Sequence, residues 1–199
     1  MTTMLKRDRL IEAAKAKFYQ QGVARTTLAD IAQQAQVPLG NVYYHFRTKE
    51  ALVEAVVQAH TQELQSLFRK WERIADPCQR LLALLQTARE QEHVLARYGC
   101  PHGSLCQELD KEDGQLVNVA AQIFQVYLDW METQFRLLSK DEQKARDLAI
   151  DLISSLQGTY VLTAIFRSSE LLERKLQRLE MWIRTLQGHI VFLVPFLVS

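Results

Sequence analysis

At 199 residues and 48% hydrophobic content the chain is long enough for one large domain, or for a small domain joined to a larger one, with ample material for a core. Three cysteines cannot all pair, which excludes a disulfide scaffold, and the net charge of +1 by itself argues neither for nor against nucleic acid. The distribution of charge is more telling. Residues 1–49 carry eight Lys or Arg against three acids, whereas residues 50–199 carry sixteen against twenty.

Seven glycines and four prolines punctuate the chain, and no segment alternates as a strand, so the sequence predicts an all-α protein. Leu10, Ile11, Ala14 and Phe18 mark a first helix ending near Gly22, a natural C-cap. Thr27 and Asp30 then form the Thr-x-x-Asp version of a capping box. Leu28, Ile31, Ala32 and Ala35 follow on one face of a short buried helix. A connection over Gln36 to Leu39 leads to another short helix, with Pro38 where a helix can begin. In Gly40–Phe46, Val42 and Phe46 are four apart and face inward, which turns Asn41, Tyr44 and His45 outward with Tyr43 beside them. Amides and aromatics on an outward helix face suit phosphates and base edges. Thr48 caps a long helix to about residue 74, whose start carries Lys49, a cation placed for a phosphate.

The residues Thr26-Thr27-Leu28-x-Asp30-Ile31-Ala32, Val37, Gly40-x-Val42-Tyr43-Tyr44-His45-Phe46 and Lys49-x-x-Leu52 together resemble the N-terminal signature of TetR-family repressors. The resemblance implies a three-helix DNA-binding head with a helix-turn-helix over residues 1–48, joined to a helical ligand-binding and dimerisation domain over residues 49–199. It carries Thr27, Gly40, Asn41, Tyr43, Tyr44, His45 and Lys49 over as DNA contacts. Gln36, Pro38 and Leu39 stand where the family often has Gly, Ser and a polar residue, and are not carried over. The partners implied are a palindromic double-stranded operator, a small-molecule inducer and a second copy of the chain, joined through the last two helices. A two-fold dimer places its recognition helices about 34 Å apart, one turn of DNA.

Beyond residue 75 the sequence predicts a helix from Asp76-Pro77 to Gly99, a loop at 99–103 and a short helix to about 111. Helices near 114–138, 140–167 and 169–194 follow, with Ser139 and Glu142 as a second capping box. The stretch Leu148–Phe166 is apolar on more than one side and includes the small residues Ser154, Ser155, Gly158 and Thr159, as expected of a helix buried both in its own domain and against a partner. The tail IVFLVPFLV, about nine residues, is far below the roughly twenty needed to span a bilayer. With no signal peptide visible at the basic N-terminus, the protein is expected in the cytoplasm and not in a membrane.

Candidate ligand-lining residues are Trp71, Tyr98, Cys100, Phe124, Tyr127, Trp130, Gln134, Tyr160 and Phe166, a mixture that suits a moderately sized, largely apolar molecule; ordinary core packing is the commoner explanation of any one of them, and it is as a set that they point to a ligand. Tyr98-Gly99-Cys100-Pro101-His102-Gly103 resembles a loop in one branch of the family, in some members of which a cysteine there resembles a sensor of electrophiles or oxidants. Placed just before a helix, Cys100 has a setting that favours thiolate, but a lone cysteine is most often a small buried hydrophobe. His93, Cys100, His102 and Cys106 do not follow a common zinc spacing, and His60 reads as a helix-surface residue, so no metal or other cofactor is expected. No glycine-rich phosphate loop, His-Glu-x-x-His pair or Gly-x-Ser-x-Gly elbow occurs, and the chain does not read as an enzyme. A DNA-binding protein answering to another protein instead of a small molecule is the alternative function.

Overall fold

The computed structural model describes residues 5–110, 116–139 and 141–191. Ten helices and no strand occur among them. They are α1 (Lys6–Gln21), α2 (Leu28–Ala35), α3 (Leu39–His45), α4 (Lys49–Trp71), α5 (Pro77–Glu90), α6 (Glu92–Tyr98), α7 (Pro101–Asp110), α8 (Leu116–Ser139), α9 (Glu142–Phe166) and α10 (Ser169–Val191). The all-α expectation holds. Two compact units emerge, Met1–Leu64 with Pro101–Phe124, and Gln65–Cys100 with Gln125–Ser199.

In the first unit α1 packs on α2 and α2 on α3, over a core that includes Leu10, Ala14, Ile31, Val42 and Leu52, all fully buried. Helix α7 also rests on α1. The predicted capping box is formed: Thr27 Oγ1 accepts from Asp30 N–H at 3.1 Å, and Asp30 Oδ2 accepts from Thr27 N–H at 2.8 Å. The Thr27 hydroxyl, which also donates to Asp30 Oδ2, and then the Thr27 N–H lower the pKa of Asp30.

In the second unit α10 packs along α5, α6 and α9, and α6 along α9. Arg89 of α5 donates through Nε to Glu173 of α10 at 2.7 Å. Helix α9 is long and apolar enough to cross a membrane by length and mean hydropathy alone. Here it buries a stripe that includes Ala145, Ala149, Leu152, Leu156 and Thr163.

Several sequence expectations are corrected. The single helix foreseen between Asp76 and Gly99 is two, because Gln91 leaves helical geometry at φ −100°, ψ 13° and serves as the cap of both. The loop foreseen at 99–103 is helical from Pro101, whose missing N–H costs nothing at a first helical position. The predicted Ser139–Glu142 box is replaced by Asp141, which accepts from Lys144 N–H at 3.1 Å and starts α9 at Glu142 instead of 140. The apolar tail lies outside the described residues, apart from its first two positions, which fall in the last turn of α10.

His60 is not a surface residue. Its Nδ1 lies 3.3 Å from Nε2 of His102 on α7, with the rings edge-on at 4.7 Å between centroids. One imidazole donates and the other accepts, so the pair is satisfied when both rings are neutral. Burial lowers the pKa of His60 to about 4 and of His102 to about 3, helped by the nearby Lys15 ammonium and, for His102, by the other ring. The unfolded chain takes up these protons below about pH 6.5, whereas the folded chain resists them to about pH 4 and 3. Stability from the pair is therefore complete above pH 6.5 and declines as the pH falls. Unfolding free energy should drop by about 1 to 2 kcal/mol per histidine between neutral pH and pH 5, and less in a His60→Phe, His102→Phe double variant. Denaturant titrations with equal pH slopes for the two proteins would disprove this account.

Candidate nucleic-acid interface

A seven-residue helix is too short to hold its own shape in water, so α3 is built by what surrounds it. Val42 is completely buried and Phe46 nearly so, as their spacing predicted. The Arg7 guanidinium sits 5.3 Å from the centre of the Phe46 ring, closing α1 over the end of α3. With that side committed inward, Tyr44 is left 84% exposed and Tyr43 53% exposed. Gly40 is also exposed, while Asn41 and His45 are half-buried, His45 lying edge-on to Tyr44 at 5.0 Å.

The turn that aims α3 contains Gln36 at φ 53°, ψ 46°, a left-handed conformation that favours glycine. Its neighbours supply what glycine would otherwise make easy. Val37 N–H donates to Ala32 O at 3.0 Å and Gln36 N–H to Gln33 O at 3.1 Å, the pairing of a Schellman C-cap, and Val37 is buried beneath it. Arg9 donates from α1 to the carbonyls of both Ala35 and Gln36. Sequence reasoning missed Arg9, because the run Lys6-Arg7-Asp8-Arg9 reads as solvated charge until the turn is folded against it.

Thr27 is exposed, but its hydroxyl and N–H are both occupied in the α2 cap. Lys49 stands at the first position of α4, its Nζ 3.5 Å from Ala24 O, behind a Thr48 cap that accepts from Ala51 N–H at 3.2 Å. Thus α3 brings Gly40, Asn41, Tyr43, Tyr44 and His45 together, while Thr27 and Lys49 belong to the starts of the neighbouring helices α2 and α4.

Of the proposed ligand-lining residues, Phe124 falls in the first unit and the others in the second. Trp71, Tyr127 and Trp130 gather around Phe68, which stacks on Trp130 at 4.4 Å between ring centres. Trp130 Nε1 is buried there with no hydrogen-bond partner. Burial raises the pKa of Tyr127 and Tyr160, and the neighbouring Cys100 adds to the shift. Gln157 Nε2 lies 3.6 Å from Cys100 Sγ, and the Arg97 guanidinium covers the Tyr98 ring. Gln134 is fully buried and spends its amide on Arg80 and on the Trp130 carbonyl, so it braces the fold. Phe166 is 66% exposed and lines a surface groove of about 490 Å³ with Ser168, Leu171 and Arg174. No group of three or more His, Cys, Asp or Glu able to hold a metal occurs among the described residues.

The sequence model of the tetR family of bacterial regulatory proteins matches residues 10–56, and that of the LmrA/YxaF-like transcriptional regulator C-terminal domain matches residues 75–177. The chain belongs to the TetR family. Its α2–turn–α3 is the family's helix-turn-helix, and α9 lies wholly within the matched regulator domain. Among curated TetR-type relatives, the HTH-type transcriptional regulator TtgR of Pseudomonas putida is 53% identical over 53 residues, 27% of this chain and 25% of that protein. The chain thus spans about a quarter of the length of that relative. The HTH-type transcriptional repressor DhaR of Mycobacterium sp. is 27% identical over 84% of this chain and 87% of its own. A TetR transcriptional regulator from Legionella pneumophila has the same fold, with a TM-score of 0.82 at 18% identity over 93% of this chain and 98% of that one.

Gly40 offers a test of DNA contact that is separate from folding. A Cβ built there meets nothing within 4 Å, and the residue lies inside α3. Gly40→Ala should therefore leave thermal stability unchanged or raise it by about 0.5 kcal/mol, while weakening DNA binding by excluding close approach of a phosphate. Tyr43→Ala should weaken specific binding by about 1 to 3 kcal/mol. Full DNA affinity in both variants would take this face out of the interface.

Proposed function

We propose that the protein is a homodimeric repressor that binds a palindromic operator through α3 and is released by a small, largely apolar or electrophilic molecule. The observation that carries the reading is the two-sidedness of α3, with Val42 and Phe46 buried and Tyr43 and Tyr44 turned out beside Asn41 on the basic end of the chain. Contacts through Gly40, Asn41, Tyr43, Tyr44, His45 and Lys49, with Thr27 supporting α2, position and specify the duplex. The word repressor in the name of DhaR, which aligns over most of both chains, supports repression. Binding of DNA by a soluble regulator fits a cytoplasmic location. The head at 1–48 reads the operator, and the remainder of the chain supplies dimerisation and ligand response.

Dimerisation is supported by an exposed stripe on α9. Ile150, Val161, Leu162, Ile165 and Phe166 are all apolar and at least two-fifths exposed, and the exposed Ser154 and Gly158 among them allow close helix approach. Ligand binding is supported by the body's aromatic cluster and by Trp130 Nε1, a buried donor awaiting an acceptor. An apolar molecule carrying one carbonyl or ether oxygen fits that chemistry. Cys100, beside Tyr127, Tyr160 and Gln157, is the group through which an electrophile would act. Ligand in the body favours one of two states, and the operator is lost through their different affinities for DNA.

The test is selection of genomic fragments by the purified protein, repeated with electrophiles and with apolar compounds. A palindrome recovered and then released by one compound class is the expected result; no enriched sequence would overturn operator recognition, and indifference to every compound would favour control by a protein partner. Replacing Ile165 with Glu should convert a dimer to monomers in sedimentation and abolish tight binding to the palindrome. A dimer that survived would move the seam away from α9.

A further inference from the structure

Glu108 lies on α7, far along the chain from the first three helices, yet it shapes the turn between α1 and α2. Its Oε2 accepts from Val23 N–H at 2.6 Å and reaches Ala24 N–H at 3.4 Å, two successive backbone donors converging on one carboxylate. Gly22 is formed around the same group. Its φ is +85°, and a Cβ there would lie 2.7 Å from Glu108 Oε1. The turn is braced from its other end as well, by the buried Thr26, which donates to Gly22 O at 2.6 Å, and by Arg25 Nε, which donates to Gln21 O at 2.8 Å. Thr27, the next residue, is the N-cap of α2. The direction in which α2 leaves the turn, and hence where α3 is presented, is thus set in part by a carboxylate belonging to α7. Pro101, the first residue of α7, directly follows Cys100 in the chain.

We propose that Glu108 is a positioning residue for DNA recognition, a latch by which α7 holds the α1–α2 turn and sets the orientation of the helix-turn-helix. The inference rests on reading α3 as operator-binding, and it names the contact through which a shift of α7 would reach that helix. Neither Glu108 nor its backbone partners touch DNA in this scheme. The latch acts on specificity, since non-specific attraction to phosphates depends on the cations of the head and not on the aim of α3.

The test uses the full chain and the duplex that wild type enriches from a randomised library, beside a random duplex of equal length. Glu108→Ala should lower affinity for the enriched duplex about tenfold, the loss of a charge-assisted pair of hydrogen bonds, and change affinity for the random duplex by no more than about twofold. Glu108→Gln, which keeps an acceptor oxygen, should recover most of the difference and serves if the alanine variant fails to fold. Equal losses on both duplexes, or none, would overturn the proposal. Hydrogen exchange supplies an arm that needs no DNA: amides of residues 22–46 should exchange about tenfold faster in Glu108→Ala, while those of α9 and α10 hold. If wild type enriches no sequence, operator recognition fails, and exchange alone decides the latch, with unchanged protection at residues 22–46 refuting it.

Discussion

Burial of Val42 and Phe46 is the constraint on which the DNA-binding end depends. A single short helix has little intrinsic stability, because nucleation fixes several residues for one hydrogen bond. Once the inward side of α3 is removed from water, the remaining positions have no freedom to choose a face. Tyr43 and Tyr44 are exposed because their neighbours are not. The apolar side chains therefore specify which face of α3 is presented to solvent without being part of it.

Around that burial the head is fixed by polar devices that act on backbone atoms. The Thr27–Asp30 box starts α2, the Schellman cap at Gln36–Val37 ends it, and Arg9 ties the carbonyls of the turn to α1. Glu108 performs the same service for the turn before α2. Each satisfies peptide groups that a helix terminus leaves open, so connections only a few residues long are held to one geometry. The left-handed Gln36 shows the principle well. A residue disfavoured in that region is tolerated because hydrogen bonds and the buried Val37 over-determine the turn.

The body follows a different logic. Its ends of helices are joined by ion pairs such as Arg89–Glu173, and its interior mixes aromatics with polar groups that are partly satisfied. Gln134 illustrates what composition leaves open there. In the sequence it is one polar residue among aromatics, as a ligand contact would be; in the fold both ends of its amide are engaged by the protein. Trp130 is the reverse case, an apparently ordinary core aromatic whose N–H is left open.

What the sequence determined by itself was local and periodic: the all-α class, the Thr27–Asp30 cap, the inward Val42 and Phe46, and the clustering of cations before residue 50. These are legible because helix periodicity and capping act within about four residues. The family signature added the identity of the fold and of its helix-turn-helix. Tertiary structure alone decided the rest. It split the helix after Asp76 at Gln91, moved the α9 cap from Ser139 to Asp141, and exposed Phe166. It also packed His60 against His102, brought Arg9 to the α2–α3 turn and set Glu108 on the turn after Gly22. All of these depend on which residues distant in the chain share a low-dielectric interior or an open backbone group, and neither periodicity nor local propensity encodes that proximity.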